Sequence, residues 1–156
     1  MTTYVVDKAR TRQAVQAYFA VYRRFVQLLN AGTVPREELQ PVPGYEHAQH
    51  PDTIHAPGFR STWPLVEKID GKLRYMQWFV RDVERVVAGL PRYQEAILRT
   101  QYMGREQLSN EETYEALLRA DARWCYSERY FREQRAEALL TVADILGITL
   151  YLENSQ

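Results

Sequence analysis

Apolar residues in this chain recur every three or four positions, the spacing of one face of an α-helix. The first such stripe predicts a helix over about residues 8–30, and Asn30-Ala31-Gly32 is a plausible end for it. A broader stripe starts at Leu65, with a potential break at Asp70-Gly71, and ends at Gly89. The members of the two stripes are Val15, Tyr18, Tyr22, Phe25 and Leu29, then Met76, Phe79, Val80, Val83, Val86, Val87 and Leu90.

Three more helices are predicted towards the carboxyl end. One begins with Pro91 in its first turn, runs to about Met103 and buries Ile97, Leu98 and Tyr102. The next covers about residues 109–120, where Ser109 and Glu112 form a capping-box pattern. Ser127 starts the last helix, over about residues 127–146, and its apolar side comprises Phe131, Ala138, Leu139, Val142 and Ile145. No segment shows the strict alternation of a strand, so we predict an all-α fold, a helical bundle.

Six of the seven prolines lie between Pro35 and Pro64, which argues against regular structure in that segment. The sequence therefore predicts four parts. They are an amphipathic helix in residues 1–33, a Pro-rich linker or arm in 34–64, a helical domain in 65–147 and a tail in 148–156.

The charges exclude a globally basic nucleic-acid binder, because twenty Lys and Arg balance twenty Asp and Glu. A locally basic face is still compatible with that total. No apolar run is long enough for a signal peptide or a membrane span, so we expect a soluble protein of the cytoplasm with no membrane partner.

The other notable residues can be explained without a catalytic or metal-binding role. His47, His50 and His55 match no common zinc spacing, and we expect them to be solvated and to hold no metal. There is no Gly-rich phosphate loop and no nucleophile elbow, so we expect neither a catalytic residue nor a cofactor. Core packing is the expected role of Trp78 and Trp124, whereas Trp63 in the arm is a candidate partner contact.

The last two helices have the order of a helix-turn-helix, in which the second helix enters the major groove of DNA. Ser127 caps that helix, and four side chains near its start are expected to point outward, away from the core. Arginine pairs with guanine edges and glutamate accepts from cytosine, while other arginines hold phosphates. The predicted base-facing residues are Glu128, Arg129, Arg132 and Glu133, and the predicted phosphate contacts are Arg123 and Arg135. A solvated amphipathic helix shows the same mixture of charges.

The run from Ser127 to Ala138-Leu139 resembles the recognition helix of sigma-factor region 4, with the same spacing between the Ser cap and the Ala-Leu pair. Leu90-Pro91, Ile97-Leu98 and Tyr102 look like the helix that precedes it in sigma-like proteins. More closely, the chain is similar to the ArpU/RinA family of phage-encoded transcriptional regulators in the motif Tyr126-Ser127-Glu128-Arg129-Tyr130-Phe131-Arg132, followed by Glu137-Ala138-Leu139-Leu140, Ala143 and Leu146-Gly147.

The resemblance implies a regulator that activates late genes for packaging and lysis, through double-stranded promoter DNA and host RNA polymerase. Because the net charge is near zero, either dimerisation or the polymerase must supplement a single reading helix. Two features depart from the family: the long spacing from Ser109 to Ser127, which predicts an extra helical turn or a longer loop, and Glu133 on the reading helix. The base preference is therefore not transferable.

Two alternatives remain open at this point. One is a phage packaging or assembly protein, like the small terminase subunits, that uses the helix-turn-helix to dock DNA or to oligomerise. The other is a structural helical adaptor, which would have no salt-dependent affinity for DNA.

Overall fold

The computed structural model describes residues 4–32 and 59–152, with side chains from residue 70 onward in the second range. These residues form five α-helices and one short 3₁₀ turn, with a single isolated β-bridge and no strand. The prediction of an all-α fold is confirmed. The helices are α1 (Lys8–Ala31), α2 (Phe59–Ala88), α3 (Arg92–Tyr102), α4 (Asn110–Ala120) and α5 (Glu128–Leu146), and the 3₁₀ turn is Ala122–Trp124. None of the described helices is both long and apolar enough to span a membrane.

The chain divides into two compact units. The first comprises the described residues of Met1–Arg24 and Arg81–Gln156, and the second those of Phe25–Val80. The long helices α1 and α2 each contribute one part to each unit. The candidate site lies entirely within the first unit.

The core of the first unit is built around α3. Ile97, Leu98 and Tyr102 are fully buried, as their helical spacing predicts. From α1, the ring of Phe19 stacks on Tyr102 at 5.1 Å between centroids. Gln16 Nε2 donates to the Tyr102 hydroxyl at 3.3 Å. Burial of these large side chains is the main force that holds α1 and α3 together.

The second unit has an aromatic interior in which the ring of Phe25 lies edge-on to Phe79, 5.2 Å away. Met76 and Phe79 are buried, whereas Trp78 is 57% exposed. The prediction that Trp78 packs in the core is therefore wrong. At about 100° per residue, Trp78 lies on the opposite side of the helix from Met76, so the apolar stripe does not include it.

The helix α2 is longer than the sequence predicts. It begins at Phe59, inside the segment assigned to the Pro-rich arm, and continues through Asp70-Gly71 without a break. Gly71 does not adopt the left-handed conformation that would end a helix. The rest of the arm, including His47, His50 and His55, lies outside the described residues, as does the side chain of Trp63.

The segment after α5 is not a free tail over its described part. Tyr151 forms an antiparallel bridge with Val6. Asp7 N–H donates to the Leu150 carbonyl at 2.8 Å. The buried Thr11 hydroxyl accepts from Leu150 N–H at 3.0 Å. Residues 148–152, the described part of the predicted tail, thus close against the start of the chain.

Candidate nucleic-acid interface

The helix α4 begins with the predicted capping box. Glu112 N–H donates to Ser109 Oγ at 3.1 Å, and Ser109 N–H donates to Glu112 Oε1 at 3.1 Å. The hydrogen bonds that Ser109 donates to the carboxylate, first of all from its backbone N–H, lower the pKa of the Glu112 carboxyl. The start of the candidate scaffold helix is therefore fixed by two reciprocal contacts, as its sequence predicts.

The connection between α4 and α5 is a loop and not an extra helical turn. It spans residues 121–127 and contains the 3₁₀ turn, so it is longer than the three or four residues typical of a helix-turn-helix. Asp121 accepts from Arg123 N–H at 2.9 Å, and the Tyr114 hydroxyl donates to the Tyr126 carbonyl at 2.7 Å. Of the two outcomes that the long Ser109–Ser127 spacing predicts, the structure has the longer loop.

Ser127 caps α5, as predicted. Its hydroxyl oxygen accepts from Tyr130 N–H at 3.1 Å, which satisfies one of the free donors in the first turn. At the other end, Gly147 takes the left-handed conformation with φ of 73°, and its N–H returns to α5. Both ends of α5 are therefore set by local sequence.

We expect Ser127→Ala to lower the free energy of unfolding by about 1 kcal/mol, because the first turn loses its capping acceptor. Ser127→Asp is the matched control, since aspartate offers an acceptor at the same place and should retain most of the stability. Thermal unfolding followed by circular dichroism measures both. Equal loss in the two variants would contradict a capping role.

The inward face of α5 agrees with the prediction except at its end. Phe131, Ala138, Leu139 and Val142 are buried, but Ile145 is exposed. Burial along the helix ends at Ala143, so among the described residues the inward stripe does not extend into the last turn, where Ile145 lies. The outward positions that remain include every predicted base-facing residue.

Glu128, Arg129, Arg132 and Glu133 are all exposed. Arg129 Nε lies 3.1 Å from Glu133 Oε1 one turn later, with the Arg129 side chain 91% exposed. A pair this exposed contributes little to stability and separates easily. Arg132 makes no hydrogen bond or ion pair with any other described residue, so its guanidinium group is available to a ligand.

The two predicted phosphate contacts have different surroundings. Arg123 is exposed but paired with Asp121, 3.0 Å away, and this pairing raises the pKa of Arg123 and lowers that of Asp121. Arg135 turns inward: its Nε donates to Gln101 Oε1 at 2.7 Å, and its Nη2 donates to the Tyr102 hydroxyl at 2.6 Å. Two nitrogens of its guanidinium group are therefore engaged with α3, so the phosphate contact predicted for Arg135 would compete with these hydrogen bonds.

The net charge of α4, the loop and the first half of α5 is less favourable to DNA binding than the number of arginines suggests. Residues 110–137 contain five arginines and seven carboxylates, a net charge of −2 at neutral pH. Attraction to phosphates is the main source of non-specific affinity for DNA. The electrostatic part of any DNA binding by this surface is therefore small.

Sequence reasoning missed a cluster of aromatic rings at the start of α5. Tyr93 from α3 contacts Tyr126 and Tyr130 at centroid distances of 4.6 Å and 5.8 Å, and Trp124 at 5.3 Å. Trp124 is half-buried against the core that Tyr93 shares, in line with its predicted packing. Helical periodicity cannot reveal this cluster, because its members come from α3, the loop and α5.

Tyr93 is buried, and its hydroxyl has no hydrogen-bond partner among the described residues. Burial disfavours the phenolate and raises the pKa of Tyr93 to about 12. The hydroxyl therefore remains a neutral donor and acceptor at neutral pH, in contact with the rings at the start of α5.

Comparison of the whole chain with protein-family models, with curated proteins and with solved structures finds no match to any of them.

Proposed function

We propose that this protein is a sequence-specific DNA-binding transcriptional regulator of phage or prophage origin. Its reading helix is α5, and Ser127 fixes the start of that helix. The observation that carries the proposal is the exposed Arg132, which has no partner among the described residues and lies one turn after the capped start. A helix that enters the major groove presents its side chains from just such a capped first turn.

Each residue has a distinct role in this proposal. Arg132 forms hydrogen bonds with a base edge. Arg129 does the same after its ion pair with Glu133 has separated. Glu128 and Glu133 restrict which bases are tolerated, because a carboxylate accepts from cytosine and repels acceptor edges. Arg123 contacts a phosphate from the loop. The resemblance to ArpU/RinA regulators adds activation of late genes and contact with host RNA polymerase in the bacterial cytoplasm, without a cofactor.

The low positive charge has a consequence for this proposal. Few phosphate contacts give weak non-specific binding and a shallow dependence on salt. A second contact, from host RNA polymerase or from a second copy of the chain in a homodimer, then supplies the remaining affinity.

The proposal is tested by selecting bound fragments from the source genome with the full-length protein and sequencing them. Enrichment of one or a few sites upstream of packaging or lysis genes is the expected result. Uniform recovery of fragments, or none, would overturn sequence-specific regulation.

We expect Arg132→Ala to weaken binding to a selected fragment by about 1–3 kcal/mol and to leave folding intact, because the side chain is exposed. Gel shift at several salt concentrations is the measurement. Loss confined to the selected fragment indicates a base contact, whereas equal loss on all fragments with a shallower salt dependence indicates a phosphate contact.

Arg99→Ala is the charge-matched control. Arg99 is paired with Glu95 on α3, 3.0 Å away, so its removal deletes one positive charge without touching α5. Equal weakening by the two substitutions would show that only net charge matters and would contradict a reading role for Arg132.

A further inference from the structure

We propose that Trp124, Tyr126 and Tyr130 form an aromatic platform on which unpaired DNA bases stack, so that the preferred ligand is a duplex with an adjoining unpaired segment. This inference rests on the proposed function, since it extends the same surface at the start of α5. It adds that the site selects DNA that contains unpaired bases.

The platform consists of exposed rings supported by a buried one. Tyr126 and Tyr130 lie 4.7 Å apart between centroids and are 39% and 38% exposed. Tyr93 lies against both, with its ring almost parallel to that of Tyr130, at an angle of 12°. Trp124 extends the cluster, 6.5 Å from Tyr126. Two partly exposed rings that lie together beside a buried one leave aromatic surface available to a ligand.

Backbone contacts hold the platform in place before any ligand arrives. Tyr130 N–H is bound to Ser127 Oγ, and the Tyr126 carbonyl accepts from the Tyr114 hydroxyl. The backbone that carries both rings is thus fixed at the start of α5, and the rings themselves pack against Tyr93. A preorganised surface loses little conformational entropy on binding.

The charges around the platform favour stacking over attraction to phosphates. Asp121 neutralises Arg123, and Glu133 neutralises Arg129, so this end of α5 has little free positive charge. Base stacking, which contributes about 1–3 kcal/mol per base, must therefore supply most of the affinity at this end of α5. In a closed duplex the base faces are already covered by their neighbours, so only unpaired bases can use the platform.

The hydroxyl of Tyr93 gives a second reason to expect a ligand here. It is buried without a partner among the described residues, although the Tyr93 ring touches all three members of the platform. Buried polar groups without partners are rare in folded proteins, and here one belongs to the residue whose ring supports the platform.

The test compares three fluorescently labelled probes of one mixed sequence by anisotropy with the full-length protein. They are a closed duplex of about 20 base pairs, the same duplex with an unpaired tail of about six nucleotides, and the single strand. We expect the tailed duplex to bind about 10-fold more tightly than the closed duplex.

The variant Tyr126→Leu/Tyr130→Leu fills the same apolar space without a flat ring. It should lose the preference for the tail and bind the closed duplex as the unchanged protein does. Tyr126→Phe/Tyr130→Phe should keep the preference, because stacking needs the ring and not the hydroxyl. Trp78→Ala, at another exposed aromatic position, is the control and should change nothing.

Each outcome decides one of the two proposals. Equal binding of closed and tailed duplexes by the unchanged protein overturns the platform and leaves duplex reading by α5 intact. A preference for the tail that survives in the Leu variant also overturns the platform. Failure to bind any of the probes or any genomic fragment overturns the proposed function, and the platform with it.

Discussion

Phe131→Ala is expected to lower the free energy of unfolding by about 3–5 kcal/mol, the largest single effect that the structure predicts. Phe131 is 1% exposed and belongs to the buried cluster that also contains Tyr93, Ile97 and Leu117. These residues come from α3, α4 and α5, so the ring of Phe131 is shared by three helices. Its removal leaves a cavity that none of the three can close by moving alone.

Chemical denaturation followed by circular dichroism measures this loss. Ile145→Ala is the control on the same helix, because Ile145 is exposed and its truncation should change stability by about 0.5 kcal/mol or less. Phe131→Leu should fall between the two, since it keeps part of the buried volume. Similar unfolding midpoints for Phe131→Ala and the unchanged protein would contradict the placement of α5.

Features that depend on residues close together in sequence could be predicted. The cap at Ser109 involves Glu112, three positions later, and the cap at Ser127 involves Tyr130, also three positions later. Helix α1 likewise follows from its apolar stripe, with bounds within one residue of those predicted. In each case the physical cause, a free backbone donor or an apolar face, is contained in one short segment.

Features that join distant segments could not be predicted. Arg135 lies four positions after Phe131 and three before Ala138, so a helical projection places it on the inward face of α5, but the projection does not show that its side chain reaches Tyr102, 33 positions earlier. The contact between Thr11 and Leu150 spans 139 positions. The aromatic platform has the same origin, because its support, Tyr93, lies on another helix. Periodicity gives the face of a residue and not the partner that it meets.

The helix α2 shows a different limit. Prolines up to Pro64 and the Asp70-Gly71 pair predict irregular structure, but the helix runs from Phe59 through both. Helix propensity is a weak tendency of about 1 kcal/mol for glycine, and neighbouring residues can override it. Local signals alone therefore place the start of this helix later in the chain than the structure does.

The charge that a DNA-binding helix requires was also only partly predictable. Counting arginines over residues 123–135 suggests a basic face, whereas the structure pairs Arg123 with Asp121 and Arg129 with Glu133. The sequence shows how many charges are present, but their effect on a ligand depends on which of them already have partners. Arg132 keeps its candidate role for that reason.

Arg135→Ala is expected to lower the free energy of unfolding by about 2–4 kcal/mol, because two charge-assisted hydrogen bonds to α3 are lost. Gln101 is buried, and its side-chain oxygen would lose the donor that Arg135 provides. The Tyr102 hydroxyl would keep its contact with Gln16. The guanidinium carbon, 5.8 Å from the centre of the Tyr102 ring, adds a cation–π contribution that is lost as well.

Arg135→Lys and Arg132→Ala separate this structural role from the phosphate contact that the sequence predicts. Lysine keeps the charge, but a single ammonium cannot replace two nitrogens of a planar group, so Arg135→Lys should also be destabilised. Arg132→Ala should change stability by about 0.5 kcal/mol or less while weakening DNA binding. Two results together would contradict this role: Arg135→Ala unfolds at the same denaturant concentration as the unchanged protein, and it binds all DNA more weakly. Arg135 would then be a phosphate ligand whose hydrogen bonds to α3 do not matter for folding. A large loss of stability in both Arg135 variants would identify this arginine as the residue that fixes α5 against α3, and hence the direction in which Arg132 faces a duplex.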